Sequence, residues 1–136
     1  MRIEEPVSLM DIYPTLVEVC NIDMPASHNL DGLSILSMLK GQKSKRGAPV
    51  ISTHGKNNHA VITKDFHYIR YRNGAEELYD KKADPFQWKN LAENEKYLSH
   101  LDSLKQYLPS ENADNLSFKY GDESSKGWAE EAWQDF

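Results

Sequence analysis

The sequence has 136 residues, a formal net charge of -5 and a hydrophobic content of 39%, which suits one domain with one hydrophobic core. Its 16 lysines and arginines are scattered and are outnumbered by 21 acidic residues, so a nucleic-acid partner is not expected. A membrane partner is not expected either, because no segment is apolar over the roughly 20 residues that a spanning helix needs. The N-terminus also lacks the pattern of a signal peptide.

The first predicted element is an amphipathic helix between Ser8 and Cys20. Two N-caps fit the pattern. With Asp11 as the cap, Pro14 falls in the first turn and costs no hydrogen bond, whereas with Ser8 as the cap it costs one. We expect Cys20, the one cysteine, to be buried and unreactive. The apolar residues that recur at helical spacing are Leu9, Ile12, Tyr13, Leu16, Val19 and Cys20.

A second, shorter helix is predicted after a break at residues 21–29. Leu33, Leu36 and Leu39 share one face, and Gly41 is suited to end the helix because glycine readily adopts positive φ. A polar, basic loop follows at residues 42–47.

Four segments with strand character come next, and their short connections predict an antiparallel meander. Asn73-Gly74 favours a type I′ hairpin between the last two strands, because both central residues of that turn need positive φ. Lys64-Asp65 favours a tight turn in the preceding hairpin. The predicted strands cover residues 49–53, 59–63, 66–72 and 75–79.

After Asp84-Pro85, an apolar stripe from Tyr97 to Leu108 predicts a helix over about residues 94–108 that packs on one sheet face. The predicted fold class is therefore α+β: a four-stranded antiparallel sheet with a packed C-terminal helix, preceded by two short helices. We divide the chain into a helical segment (1–47), the sheet with its helix (48–109) and an extended tail (110–136).

No common catalytic signature is present: the sequence lacks Gly-x-Ser-x-Gly, a Walker loop and Cys-x-x-Cys. The richest cluster is Thr53–His59, where two histidines, a lysine and two amides are able to bind an anion. A zinc site from His54, His59 and His67 is a second interpretation, although its spacing matches no established ligand pattern. A solvated polar loop is the third.

Charged residues on the predicted strands have simpler interpretations. Glu76 and Glu77 are adjacent and therefore point to opposite sheet faces, so they cannot form a catalytic pair. Arg70 and Arg72 either bind an anion or pair with acids on the neighbouring strand.

Three blocks of the sequence resemble the end of sulfatases of the alkaline phosphatase superfamily. Residues 7–16 are similar to a helix with the pattern hydrophobic-Asp-x-x-Pro-Thr-Leu, and residues 30–36 are similar to the Asp-Gly-x-Ser-Leu turn that follows it. The loop with His54-Gly55 and Asn58–Val61 is similar to bacterial sulfatases related to iduronate-2-sulfatase. The third block, in the family's order, is Glu77-Leu78-Tyr79-Asp80, Asp84-Pro85, Trp88 and Asn90-Leu91-Ala92.

The resemblance implies a large N-terminal α/β domain that holds calcium or magnesium and a formylglycine made from Cys or Ser, followed by a small C-terminal subdomain. This chain resembles only the final part, because Cys20 does not begin a Cys/Ser-x-Pro-x-Arg motif and the paired aspartates of the metal site are missing. We therefore expect no catalytic residue, metal or cofactor in this chain and no hydrolysis by the chain alone. Proteins of this family are commonly periplasmic or secreted.

The same resemblance assigns substrate binding to His54, Lys56, Asn58 and His59, which would face a sulfated carbohydrate. The alternative is a free-standing α+β module that binds a sulfated glycan or a protein partner. The two hypotheses differ at the 8–20 helix, because a sulfatase fragment would lack the catalytic domain that covers this helix in the family. We therefore expect either a homodimer through that helix or a helix that repacks onto its own sheet.

Overall fold

The computed structural model describes residues 3–24, 29–42 and 45–112. Its centre is one antiparallel sheet with the strand order β1-β2-β3-β4, so the predicted meander is confirmed. Most of the predicted tail, residues 113–136, lies outside the described residues. The strands are β1 (Val50–Thr53), β2 (His59–Ile62), β3 (Phe66–Arg70) and β4 (Glu76–Asp80).

The C-terminal helix packs on one face of the sheet, as the apolar stripe predicts. A 3₁₀ turn (Glu95–Tyr97) leads into α3 (Leu98–Lys105). The side chain of Asn94 caps the 3₁₀ turn by accepting from the Lys96 N–H. Helix and sheet share a core in which the strand residues alternate in and out, as a half-buried sheet requires. That core consists of Val61, Tyr68, Leu78, Leu91, Leu101 and Leu104.

The hairpin between β3 and β4 differs from the predicted type I′ turn. Positive φ occurs at Gly74 (89°) and not at Asn73. The Gly74 N–H donates to the Tyr71 carbonyl at 2.9 Å, and the Tyr71 N–H donates to the Ala75 carbonyl at 2.9 Å. This is a three-residue hairpin with a glycine bulge. Its backbone matches the twist of the flanking strands with one left-handed residue, whereas a type I′ turn needs two.

The first helix begins with a 3₁₀ turn (Leu9–Asp11) and continues as α1 (Ile12–Val19). Ser8 caps the turn: its side chain accepts from the Met10 N–H, and the Asp11 side chain accepts from the Ser8 N–H. Asp11 occupies the N-cap position of α1, which places Pro14 in the first turn as one alternative predicts, but its carboxylate makes no capping bond to that helix.

The second helix, α2 (Leu36–Leu39), is shorter than predicted. Residues before it hydrogen-bond to the first helix instead of forming a helical turn. The Leu33 N–H donates to Asp11 at 2.8 Å, and the Ile35 N–H donates to the Thr15 hydroxyl at 3.1 Å. Gly41 ends the helix with a φ of 70°, as predicted.

One face of α1 is exposed. It carries the side chains of Ile12, Leu16 and Val19, which are each 53–54% exposed. The helix therefore does not pack this face onto its own sheet. Cys20 is exposed as well, which corrects the prediction of a buried thiol. The stripe that predicts burial is present, but no described residue covers it.

None of the helices in the described part of the chain has the length and apolar character needed to cross a membrane.

This exposed face predicts self-association of the chain. Leaving a large aliphatic side chain in water forgoes about 1.5–3 kcal/mol of burial free energy. We expect a homodimer through the 8–20 helix, and we expect an Ile12→Asp/Leu16→Asp variant to be monomeric by light scattering. A Leu98→Asp variant serves as the control, because Leu98 is similarly exposed (45%) but lies on α3. A monomeric parent, or a double variant that remains dimeric, would contradict the prediction.

Candidate functional site

The candidate residues lie at one end of the sheet. In a meander, alternate connections lie at the same end, so the β1–β2 loop (residues 54–58) adjoins the β3–β4 hairpin (residues 71–75). We call these two connections together the loop end. The turn at Lys64-Asp65 lies at the opposite end of the sheet.

Asn58 holds the loop end together. Its amide nitrogen donates to the His54 carbonyl at 3.0 Å and to the Lys56 carbonyl at 3.4 Å, which closes the loop on itself. Its amide oxygen accepts from the Arg72 N–H at 3.0 Å, which joins the loop to the neighbouring hairpin. The Asn58 amide thus already has partners on both of its polar atoms.

His59 lies at the base of the loop and is only 6% exposed. Its Nδ1 lies 2.9 Å from the hydroxyl of Thr53, its cross-strand partner. Its Nε2 is buried and has no hydrogen-bond partner among the described residues. Burial places this ring against the inner face of the sheet rather than in the solvent in front of the loop.

His54 and Lys56 lie within the loop itself. His54 is exposed and Lys56 is partly buried. Two left-handed residues, Gly55 (φ 67°) and Asn57 (φ 65°), flank Lys56 and give the loop its shape. Asparagine is one of the few residues besides glycine that tolerates this conformation.

The structure separates the three histidines of the zinc interpretation. His59 faces α3, on the same side of the sheet as its cross-strand partner Arg70. His67 is three positions from Arg70 on β3, and because successive strand residues alternate between the two faces, His67 lies on the opposite face. The Nδ1 of His67 instead lies 2.6 Å from the Gln87 side-chain oxygen. The described residues contain no group of three metal-ligating side chains. These residues therefore offer no ligand set for the calcium or magnesium that the resemblance implies.

Behind the loop end, Arg70 and its neighbours form an ion-paired cluster around Glu76. The Glu76 carboxylate accepts from the Tyr68 hydroxyl at 2.6 Å, lies 2.9 Å from the Lys105 Nζ and lies 3.6 Å from the Arg70 guanidinium. Burial alone would raise the pKa of Glu76, but the hydrogen bonds from Tyr68 and Lys105 hold that pKa below its ordinary value. Burial together with the Glu76 carboxylate raises the pKa of Tyr68. Of the two interpretations of Arg70, pairing with an acid on the neighbouring strand is therefore the one that the structure supports.

Arg72 differs from Arg70. It is exposed at the tip of the β3–β4 hairpin, and no acidic partner pairs with its guanidinium among the described residues. Next to it, Asn58, Tyr71, Arg72 and Asn73 line a shallow concavity of about 490 Å³.

Another groove in the described part of the chain, about 720 Å³, lies elsewhere. It runs between the first helical segment and the outer edge of β1, and its lining includes Arg46, Ile51 and Tyr107. Of the loop-end residues and their neighbours, only Thr53 reaches it. It therefore does not contain the predicted substrate residues.

Asp11 is the residue whose role the sequence pattern missed. Its side chain is 1% exposed and pairs with Arg46, whose Nη2 and Nε donate to its two oxygens at 2.6 and 2.7 Å. Arg46 also donates to the carbonyls of Ala48 and Pro49, just before β1. This ion pair joins the first helix to the start of the sheet. The partners are 35 positions apart in the sequence, so no local pattern reveals the pair.

Comparisons with known proteins agree with this architecture. Residues 1–114 match the family described as N-sulphoglucosamine sulphohydrolase, C-terminal. The chain is 38% identical over 112 residues to a sulfatase of Formosa agariphila, which covers 82% of this chain and 22% of the relative. It is 31% identical to a Delta 4,5-hexuronate-2-O-sulfatase of Bacteroides thetaiotaomicron, covering 81% of this chain and 25% of the relative.

A similar fold occurs in solved structures. The structure of a 2-O GAG sulfatase superposes with a TM-score of 0.60 at 31% identity, covering 71% of this chain and 22% of that chain. The chain therefore spans about a quarter or less of the length of these relatives.

Proposed function

Because the chain belongs to the C-terminal domain family of N-sulphoglucosamine sulphohydrolase and related sulfatases, we propose that it supplies substrate recognition to a sulfatase and carries none of the chemistry. The main support for recognition is the loop end, where the exposed His54 and the neighbouring Lys56 lie in a loop whose shape is fixed by the Asn58 amide. A binding surface needs such fixed donors, since ordering a mobile loop on binding costs free energy.

The absence of chemistry follows from the residues that sulfate-ester hydrolysis requires. That reaction needs a strong nucleophile and a cation that stabilises the charge on the leaving group. Cys20 is followed by Asn21 and Ile22 rather than by a Cys-x-Pro-x-Arg continuation, and it lies at the exposed end of α1. We therefore assign no catalytic residue and no metal to this chain.

We propose a sulfated carbohydrate with an acidic sugar as the substrate class. Two of the similar proteins are described as a hexuronate-2-O-sulfatase and a 2-O GAG sulfatase. Donors at the loop end suit such a ligand, because sulfate and carboxylate groups accept charge-assisted hydrogen bonds from histidine, lysine and arginine. A free-standing binding module is not favoured, since the matched relatives are sulfatases several times longer than this chain.

A titration of the chain with a heparin-derived disaccharide that carries a sulfated uronate tests the proposal. We expect a His54→Ala variant to bind roughly threefold to tenfold more weakly, the loss of about one exposed charge-assisted contact. The affinity is measured from saturable changes in amide chemical shifts. A Lys64→Gln variant is the matched control, because it removes a cation at the opposite end of the sheet. Equal affinities for the parent and the His54 variant would contradict the assignment.

A further inference from the structure

We propose that Arg72 is a further substrate-binding residue, which contacts an anionic substituent of the ligand in the concavity at the loop end. This inference rests on the proposed function, because it names an additional contact at the same site. It also separates Arg72 from Arg70, which the sequence pattern treats alike.

The two arginines differ in their charge environment. The guanidinium of Arg70 lies 3.6 Å from the Glu76 carboxylate, so its charge is already partly compensated within the fold. Arg72 has no such partner among the residues that the structure describes. An exposed guanidinium stays charged at every physiological pH and presents its donors in a planar fork that matches sulfate and carboxylate oxygens.

Arg72 lies next to the loop that carries His54. The glycine bulge at Gly74 places Arg72 and Asn73 at the two central positions of the turn, at the tip of the hairpin. The Arg72 N–H donates to the Asn58 side chain at 3.0 Å, so the backbone of Arg72 is fixed against the loop that carries His54. A ligand held by His54 or Lys56 would therefore lie next to the Arg72 side chain.

Space for a ligand is present beside Arg72. The shallow concavity of about 490 Å³ is lined by Asn58, Tyr71, Arg72 and Asn73, so it spans both connections of the loop end. Asn58 and the Tyr71 hydroxyl are already hydrogen-bonded within the chain. Arg72 is thus the charged donor of this concavity that remains available to a ligand.

The test compares Arg72→Gln and Arg72→Lys variants of the intact chain in the disaccharide titration. We expect Arg72→Gln to weaken binding roughly fivefold, the upper range for an exposed ion pair, and Arg72→Lys to fall between Arg72→Gln and the parent. The amide shifts of residues 54–58 without ligand should stay unchanged in both variants, because the Arg72 N–H to Asn58 bond uses the backbone. An unchanged affinity in Arg72→Gln would overturn the inference.

Two controls distinguish this inference from the proposed function. Lys64→Gln removes one positive charge at the far end of the sheet and should leave the affinity unchanged. If it weakens binding as much as Arg72→Gln does, only net charge matters, and the inference is overturned. If His54→Ala weakens binding and Arg72→Gln does not, the proposed function stands while the inference fails. If no amide of the loop end responds to the disaccharide at all, both fail together.

Discussion

A Gly32→Ala variant is expected to lose several kcal/mol of stability, on the order of 3 kcal/mol or more. A Cβ at position 32 would lie 1.9 Å from the carbonyl oxygen of Met10 and 2.4 Å from its carbonyl carbon. Both are backbone atoms, so no side-chain rotation relieves the clash. The first helical segment would have to separate from the turn that contains Gly32, which also breaks the bond between the Leu33 N–H and Asp11.

Gly74→Ala is the matched control for this substitution. It makes the same chemical change at a position where an added Cβ meets no atom within 4 Å. Its cost is limited to the positive φ of 89° and should be about 1 kcal/mol. Urea denaturation followed by circular dichroism measures both variants, and the amide signal of Leu33 reports on the turn. If the two glycine variants are equally stable, the close approach of Gly32 to Met10 does not exist in solution.

The second large effect is expected at the buried ion pair of Asp11 and Arg46. Removing one partner leaves an uncompensated buried charge, which typically costs about 3–5 kcal/mol. We expect Asp11→Asn and Arg46→Met each to lose stability in this range. An Asp11→Asn/Arg46→Met double variant should lose less than the sum of the two, because it leaves no unpaired charge. Lys64→Gln, at an exposed pair with Glu4, should change stability by less than about 0.5 kcal/mol.

The same ion pair predicts how stability depends on pH. Burial alone would raise the pKa of Asp11, but hydrogen bonds from Arg46, Leu33 and Ser8 outweigh burial and lower that pKa to about 2. A carboxylate with a lowered pKa stabilises the fold fully above its unfolded pKa of about 3.8, and this contribution is lost as the pH falls through about 2. Across this window the parent should therefore lose roughly 2 kcal/mol more than Asp11→Asn does, since only the parent carries the Asp11 carboxylate. Parallel curves for the two proteins would contradict the assignment.

Local periodicity predicts the sheet and its helix correctly. The alternation that places Val61, Tyr68 and Leu78 on one face, and the spacing of Leu101 and Leu104 on α3, are visible in the sequence because each depends on neighbouring residues. The hairpin type was missed because Asn-Gly supports more than one turn, and the choice depends on how the flanking strands pair.

The errors elsewhere come from contacts between distant residues. Asp11 matches a helix cap, yet its partner Arg46 is supplied by a loop that local patterns do not connect to it. Cys20 was predicted to be buried because its neighbours are apolar, but no described residue covers that face. The sequence also presents His54 and His59 as equivalent members of one loop. Only the pairing of His59 with Thr53 shows that one ring is buried while the other is exposed.

The central claim is recognition without chemistry, and one nuclear magnetic resonance titration tests both halves of it. The chain is mixed with the sulfated disaccharide and calcium, while the amide signals of the protein and the ring protons of the sugar are followed in the same sample. We expect saturable shifts confined to residues 54–59 and 71–75, and sugar signals that keep their sulfated positions. Shifts centred away from the loop end, or sugar signals that move to their desulfated positions with a repurified chain, would contradict it.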